Sequence, residues 1–381
     1  MTVRKALPLL GPLVAVCLLS GSVAGQTRLK TYETRYYIIH TDLDRDAVRE
    51  ADSRITAMAE MYYERTRGFG GAITRKLPFY LFSTRQEYYA AGGMPGSAGF
   101  FDGQRLMAIA GQSTDATTWH VIQHEGFHQF VQAFIGGDIP IWVNEGLAEY
   151  FGQGIFTGDS YVTGVVPPER LARLQKWIEQ GQAKSIAEIM TTSHALWNAG
   201  LSQVNYDQAW SMVHFLAHAG RGRYQSAFNG FIGDVSRGMK WEHAWRKNFG
   251  SGTREFEEQW RQYWLNMPAD ATEDLYAEAT VATLTSFYAR AFSQRQIFQT
   301  FEAFCDAARA GTLKSNPDDW LPPSLLRDAL QQADQSGQWQ VRKRAAGYAL
   351  VCTLADGTTL TGSFKVRGRR VQGGSVKVTA K

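Results

Sequence analysis

The chain contains 381 residues, of which 44% are hydrophobic and 13% aromatic, enough to bury a sizeable core in two or three domains. Its formal net charge is +4. A charge this small does not indicate a nucleic acid or an anionic membrane as the partner.

The first 25 residues have the pattern of a signal peptide. Arg4 and Lys5 precede an apolar stretch at residues 6–19, and small residues follow at 20–25, where cleavage is expected. The apolar stretch is short for a membrane span, although an uncleaved anchor is the alternative. We therefore predict that residues 1–25 are removed and that the protein is exported, to the periplasm or outside the cell, with no integral membrane segment left.

Residues 26–119 are predicted to form an N-terminal α/β sublobe. Strand-like stretches occur at residues 35–41, 76–83 and 105–110. Residues 44–66 predict a helix, with Asp42 or Asp44 near its N-cap. Pro78 indicates that its strand is at a sheet edge or begins there. Several glycines between 92 and 99 predict a long irregular loop before the third strand.

The next stretch contains the HExxH pattern, formed by His124, Glu125 and His128. Residues four apart lie on one face of a helix, so both imidazoles can bind one ion while Glu125 reaches a bound water as a general base. The alternative is a pair of histidines on a half-buried helix face. Gly126 costs about 1 kcal/mol of helix propensity relative to alanine, which tertiary packing could offset.

A catalytic zinc site of this type needs a third protein ligand. The HExxHxxGxxH pattern does not supply it, because Val131 and Phe134 occupy its glycine and histidine positions. A second predicted helix, residues 144–151, offers Glu145. Glu149 lies one turn later on the same face, where it could accept a hydrogen bond from a ligand imidazole.

The two segments HEGFH and WVNEGLAEYF together resemble the gluzincins, the metallopeptidases that include thermolysin-like enzymes and the aminopeptidase N family. The chain is most similar to secreted bacterial proteins with a peptidase MA-like domain. This resemblance implies one Zn²⁺ per chain bound by His124, His128 and Glu145, with Glu125 as the base. It extends in general order over about residues 30–265, although the specific motifs occupy only about thirty residues.

The resemblance carries two further expectations. In gluzincin-like enzymes the strand before the metal helix edges the cleft and pairs with substrate, which would be residues 105–110 here. Aminopeptidases have a glutamate there that binds the substrate amine, but residues 104–112 contain no acid. A tyrosine about sixty residues after the glutamate ligand stabilises the oxyanion, and Tyr206 is the candidate. The alternative for Tyr206 is simple packing at a helix start.

The remaining histidines favour structural roles. His120 lies two turns before His128, about 12 Å along a helix, too far to bind the same ion. We expect it to be packed or hydrogen-bonded. His214 and His218 are also four residues apart, but no acid follows His214, so core or surface positions are expected.

The rest of the chain is divided by composition into three parts. Residues 120–268 are predicted to be the zinc-binding helical lobe, residues 269–335 a helical extension, and residues 336–381 a small β-hairpin unit. We expect a ribbon of two or three strands that packs on the preceding helices. Its basic residues could bind an anionic surface, but solvated strand faces are the favoured interpretation: Arg342, Lys343, Arg344, Lys365, Arg367, Arg369 and Arg370.

Cys305 and Cys352 are the cysteines that remain after residues 1–25, and the sequence leaves open whether they form a disulfide or stay as buried thiols.

The sequence therefore predicts an α+β fold of the zincin-like gluzincin type, with a mixed N-terminal sheet, a helical C-terminal lobe and a small β-rich C-terminal unit. The predicted function is zinc-dependent hydrolysis of a peptide or protein substrate, by an endopeptidase rather than an aminopeptidase. Glu125 and Tyr206 are the predicted catalytic residues. The alternatives are a non-catalytic exported zinc-binding or scaffold protein that keeps the peptidase fold, and a structural metal site with a closed fourth position.

Overall fold

A computed structural model describes residues 29–110, 116–136, 139–200, 202–250, 252–344 and 347–380. The strands form a five-stranded sheet (β1 to β5), a two-stranded ribbon (β6 and β7) and a four-stranded sheet (β8 to β11). Their bounds are β1 Lys30–Glu33, β2 Tyr37–Thr41, β3 Leu77–Phe82, β4 Gly99–Phe101, β5 Leu106–Ile109, β6 Ile155–Phe156, β7 Tyr161–Val162, β8 Gln338–Arg344, β9 Gly347–Thr353, β10 Thr359–Arg367 and β11 Arg370–Thr379.

The helices occupy most of the middle of the chain. They are α1 Arg45–Thr66, α2 Arg85–Ala90, α3 Ala116–Phe130, α4 Ile141–Gly152, α5 Pro168–Glu179, α6 Ile186–Thr191, α7 His194–Gly200, α8 Gln203–Gly222, α9 Gln225–Ser236, α10 Trp241–Phe249, α11 Thr253–Leu265, α12 Glu273–Ser293, α13 Phe301–Arg309 and α14 Pro323–Ala333. A π-helical turn, Val131–Ile135, extends α3, and a 3₁₀ turn, Pro317–Asp319, precedes α14. The α+β class, the mixed N-terminal sheet, the helical middle and the C-terminal β unit predicted from the sequence are confirmed.

The N-terminal sheet has the strand order β1-β2-β3-β5-β4, with the two central pairings parallel and the two outer pairings antiparallel. The side chain of Asp44 accepts from the N–H of Ala47 and caps α1 as predicted. Of the two alternatives for Pro78, the start of a strand is confirmed and the sheet edge is not, because β3 is the middle strand. Pro78 lies at its start and pairs with Ile38, before the pairing with β5 begins at Phe79, so its missing N–H interrupts only one ladder.

A glycine on α3 and a tyrosine on α1 allow these two helices to pack closely. A Cβ on Gly126 would lie 2.8 Å from Cε of Met58 on α1, so the glycine permits the close contact between the two helices. Tyr62, also on α1, donates its hydroxyl hydrogen to the carbonyl of Gln123 and packs edge-on against Phe127. This packing supplies the compensation that the unfavourable helix propensity of Gly126 requires.

The helix α4 lies between α3 and α8. A Cβ on Gly146 would lie 2.5 Å from the backbone oxygen of Ala209, so α4 and α8 approach each other at backbone distance. On the other side, Nε2 of the buried Gln123 lies 2.9, 3.0 and 3.1 Å from the carbonyl oxygens of Phe151, Gly152 and Gly154, which share its two hydrogens. These bonds satisfy carbonyls that the C-terminus of a helix leaves without partners, and they fix α4 against α3.

The C-terminal β unit is an antiparallel sheet in the order β11-β10-β9-β8, and it packs on α12 as predicted. The expected count of two or three strands is wrong, because the basic stretch Gln338–Arg344 forms a fourth strand, β8. All seven basic side chains singled out in this unit are exposed. Cys305 on α13 and Cys352 on β9 are buried free thiols rather than a disulfide, and burial raises the pKa of each to about 11.

No helix within the described residues is long and apolar enough to span a bilayer. The predicted signal peptide, residues 1–25, lies outside the described residues.

The contact at Gly146 gives a stability prediction. We expect Gly146→Ala to lower the free energy of unfolding by about 1–3 kcal/mol, because its methyl group must displace the α8 backbone rather than a flexible side chain. Urea denaturation followed by circular dichroism measures the change. Gly374→Ala is the matched control, since its Cβ would lie 3.5 Å from the nearest atom. Equal stability of the two variants would contradict the close packing of α4 on α8.

Candidate metal centre

Two neighbouring helices bring the three predicted metal ligands together. His124 and His128 are one turn apart on α3, and Glu145 lies in the first half of the adjoining helix α4. The pattern of one histidine every fourth residue orients both rings toward α4, because such residues share a helix face. One ligand atom from each of the three residues falls in a single small cluster.

The geometry of this cluster fits a zinc ion. Nε2 of His124 lies 3.1 Å from Nε2 of His128, and Oε2 of Glu145 lies 3.3 and 3.5 Å from these two nitrogens. In a tetrahedral zinc site with bonds of about 2.0–2.1 Å, neighbouring ligand atoms are about 3.3–3.4 Å apart. The three side chains therefore stand at the mutual separations that one tetrahedral ion requires.

Hydrogen bonds on the far side of each imidazole set its tautomer. Nδ1 of His124 lies 3.1 Å from Oε1 of Glu149, and Nδ1 of His128 lies 3.1 Å from Oδ1 of Asn144. Both of these oxygens only accept, so each Nδ1 carries the hydrogen. When the rings are neutral, the Nε2 lone pairs therefore face Glu145, which is the arrangement that metal-binding histidines use.

Asn144 did not emerge from the sequence reasoning. It immediately precedes Glu145 on α4, so the pairing of an amide with a ligand histidine could have been read from the helix that carries the third ligand. Its bond to His128 matches the bond of Glu149 to His124.

The electrostatics of the metal-free site favour a positive charge at its centre. Burial alone lowers the pKa of His124, but the contacts with Glu145 and Glu149 outweigh burial and raise the pKa to about 10. Burial alone raises the pKa of Glu145, but the contacts with His124 and His128 outweigh it and lower the pKa to about 2. A proton on His124 therefore supplies a positive charge between the ring nitrogens and the carboxylate of Glu145.

The cluster is partly exposed to solvent and has three candidate protein ligands. The side chains of His124, His128 and Glu145 keep 12%, 15% and 15% of their exposure. Within the part of the chain that the structure describes, no fourth histidine, cysteine or carboxylate joins the group. Three protein ligands and a solvent-facing fourth position are typical of catalytic zinc, whereas structural zinc is closed by four.

Glu125 directly follows His124 on α3, and its side chain contacts the N-terminal sheet. Its Oε2 accepts from the N–H of Phe101 on β4, at 2.9 Å. The expectation that residues 105–110 edge the cleft is wrong, because β4 lies outside β5 and is the edge strand. Its three residues are too few for a period-two pattern, and they follow the glycine-rich stretch that indicated a loop. Neither β4 nor residues 104–112 contain an acid.

Tyr206 lies in the first turn of α8 and near the metal ligands. Its ring centroid is 6.4 Å from that of His124, and its other ring neighbour, Trp197, is 5.3 Å away in a T-shaped contact. Burial, followed by the charge of Glu145, raises the pKa of Tyr206 to about 12. The phenol is therefore protonated at neutral pH and can act as a hydrogen-bond donor.

A buried charge network adjoins Glu149 and was missed at the sequence level. Nη1 of Arg170 on α5 lies 2.6 Å from Oε2 of Glu149, and Nε of Arg170 lies 2.9 Å from Oδ1 of Asp207 on α8. Burial raises the pKa of Glu149, but Arg170, His124 and His120 outweigh it and hold that pKa below the usual range. The residues come from three helices far apart in sequence, so no local pattern indicated them.

The other histidines are outside the ligand cluster, as expected. Nε2 of His120 lies 3.9 Å from Oε2 of Glu149, and burial lowers its pKa. His214 is buried and contacts the carbonyl of Gly164 through Nε2, at 3.0 Å, while Nε2 of His218 lies 2.9 Å from the hydroxyl of Tyr150. Burial lowers the pKa of His214 to about 3 and that of His218 to about 4.

Sequence comparisons match one part of the chain to a known family. Residues 118–237 match the family described as "Protein of unknown function (DUF1570)". The matched segment contains α4, α5, α8 and all but the first two residues of α3. It therefore includes the candidate ligands and their neighbours Glu125, Asn144, Glu149, Arg170, Tyr206 and Asp207. Among curated proteins, none matches this chain significantly.

The ligand assignment predicts the metal content of a variant. We expect the wild-type protein to bind one zinc ion per chain and Glu145→Ala to lose most of it, because only two imidazoles then remain. Metal analysis after dialysis against a weak chelator measures the stoichiometry. Glu258→Ala, which removes a surface carboxylate of α11 with 67% exposure, is the matched control. Unchanged zinc in Glu145→Ala would remove Glu145 from the ligand set.

The raised pKa of His124 predicts that zinc binding releases a proton. With a pKa of about 10 the imidazole of His124 is protonated at neutral pH, whereas a ligand imidazole must be neutral, so the dissociation constant should fall at least about tenfold per pH unit between about pH 7 and 9. Calorimetry in two buffers with different ionisation enthalpies counts the protons. At least about one per zinc is expected, because ionisation of a zinc-bound water would add to the proton that leaves His124. Binding without proton release would contradict this charge state.

Proposed function

We propose that this protein is a zinc-dependent peptidase of the gluzincin type. The observation that carries the proposal is the triangle of His124, His128 and Glu145 ligand atoms, 3.1–3.5 Å apart, with Glu125 next to the first ligand on the same helix. The helices that carry the triangle and the mixed sheet next to them support a gluzincin-like fold, which is part of the proposal. Export of the protein, which rests on residues 1–25, also remains a prediction.

The residue set favours catalysis over a purely structural metal site. A structural zinc ion requires four protein ligands and no base. Here three ligands converge, each partly open to solvent, and Glu125 follows directly after the first ligand on the same helix. A carboxylate next to an open coordination position is the arrangement that activates water.

Zinc bound by these side chains would lower the pKa of a water molecule to about 7 and polarise a carbonyl oxygen. Glu125 takes the proton from the attacking water and passes it to the nitrogen of the leaving amine, so the peptide bond is hydrolysed without a covalent enzyme intermediate. The phenol of Tyr206, neutral at this pH, donates a hydrogen bond to the oxygen of the scissile carbonyl as it becomes negative.

The substrate side of the site is bounded by β4. The backbone N–H of Phe101 already reaches Glu125, so an extended peptide along this edge strand would bring its carbonyl near the base. No acid on β4 or in residues 104–112 is available to bind a free α-amine. This favours an endopeptidase over an aminopeptidase.

Replacement of the proposed base tests the function directly. Glu125→Gln should reduce peptide cleavage about a thousandfold or more while zinc remains bound, because the amide cannot accept the water proton. A mixed peptide library digested by the zinc-loaded protein and read by mass spectrometry gives the activity and the cut positions. Glu258→Gln should cleave as the wild type does. Equal cleavage by Glu125→Gln would exclude Glu125 as the base, and a zinc-loaded wild type that cleaves nothing would favour a non-catalytic zinc protein.

The role of Tyr206 predicts a selective kinetic effect. Tyr206→Phe should lower kcat about a hundredfold with little change in KM or zinc content, because it removes one donor that acts mainly in the transition state. Steady-state kinetics on a peptide found in the library screen measures both constants. If kcat is unchanged, Tyr206 only packs against Trp197 and His124.

A further inference from the structure

Arg170 occupies a buried position between the metal centre and α8. It lies on α5 with only 6% of its side chain exposed. Its Nη1 is 2.6 Å from Oε2 of Glu149, while the other carboxylate oxygen of Glu149 is 3.1 Å from Nδ1 of His124. Oε2 of Glu149 thus contacts Arg170, while Oε1 contacts His124. Because Arg170 occupies Oε2, it leaves Oε1 to accept the hydrogen bond from the candidate ligand histidine.

Asp207 fixes the other side of Arg170. Its side chain is 1% exposed, and its Oδ1 lies 2.9 Å from Nε of Arg170, a close ion pair in which the Nε hydrogen is not directed at the carboxylate oxygen. Arg173 and Trp177, also on α5, donate to the same carboxylate at 3.1–3.3 Å. The guanidinium of Arg170 further lies over the ring of Trp210, 4.5 Å from its centroid. With contacts on its edge and on its face, Arg170 has little freedom to move.

The same guanidinium reaches the backbone of the proposed oxyanion donor. Nη2 of Arg170 donates to the carbonyl of Tyr206, at 3.4 Å, and Asp207 follows Tyr206 on α8. The start of α8, which carries Tyr206, is therefore held by the residue that holds Glu149 against His124. Arg170 connects the two sides of the candidate site through a single side chain.

We propose that Arg170, anchored by Asp207, is a positioning residue that orients Glu149 toward His124 and so sets the geometry and affinity of the metal centre. Without the guanidinium, the buried carboxylate of Glu149 would lose its counter-charge. Glu149 would then rotate away, and Nδ1 of His124 would lose the acceptor that fixes its tautomer. The inference rests on the metal centre of the proposed function and not on peptidase activity.

A comparison of two buried arginines tests this role. Arg290 on α12 is 7% exposed and pairs with Asp159 and Asp319 at 2.9 and 2.7 Å, remote from the ligand cluster, so Arg290→Met removes a similar buried ion pair. Arg170→Met should raise the zinc dissociation constant about 10–100-fold, measured by competition with a chromogenic chelator. Arg290→Met should leave that constant within about twofold of the wild-type value, although both variants lose thermal stability.

A double-mutant cycle shows whether Arg170 acts through Glu149. Glu149→Gln should weaken zinc binding, and adding Arg170→Met should weaken it little further, because the connection is already lost. If Arg170→Met is too unstable to purify, Arg170→Lys is used, which keeps the charge but cannot bridge two carboxylates. The visible spectrum of the cobalt-substituted protein should change in the Arg170 variants and not in Arg290→Met.

Several outcomes would overturn the inference. They are wild-type zinc affinity in the Arg170 variants, equal losses of affinity in Arg170→Met and Arg290→Met, and full additivity in the cycle. A wild-type protein that binds zinc but cleaves no peptide would contradict the peptidase proposal and leave these binding results as a valid test.

Discussion

The convergence of two imidazole nitrogens and one carboxylate oxygen on a single point is the interaction on which the rest of the site depends. Three lone-pair-bearing atoms within 3.5 Å of one another require a positive charge between them. In the metal-free protein a proton on His124 can provide that charge, which is why the contacts with Glu145 and Glu149 raise its pKa to about 10. A zinc ion would provide it better, because one ion at this point would bind all three atoms at once.

Close helix packing at two glycines keeps the three candidate ligand atoms together. Gly126 allows α3 to contact α1 at Met58, and Gly146 allows α4 to contact the backbone of α8 at Ala209. Each glycine is next to or two residues from a candidate metal ligand, so the glycines that permit close packing lie beside the residues of the cluster on both helices. The amide of Gln123 then joins α3 to the end of α4, directly beside His124.

Local patterns in the sequence predicted most of the elements and all three ligands that the structure brings together. The HExxH spacing places its histidines on one helix face whatever the surroundings, and the cap at Asp44 depends only on the three following residues. The features that the sequence did not predict are those without a local pattern. Strand β4 is too short to show a period, and β8 was hidden by its basic side chains. The contacts of Arg170 with Glu149 and Asp207 join helices that only the tertiary fold brings together.

X-ray absorption at the zinc edge of the loaded wild-type protein tests the central claim most directly. Our account predicts one zinc per chain with four light-atom neighbours at about 2.0–2.1 Å, two of them imidazoles, one a carboxylate oxygen and one an exchangeable water. It also predicts that Glu145→Ala, wherever it retains metal, loses the carboxylate scattering. A zinc shell without imidazole scattering, a site closed by four protein ligands, or a protein that takes up no zinc would contradict the account.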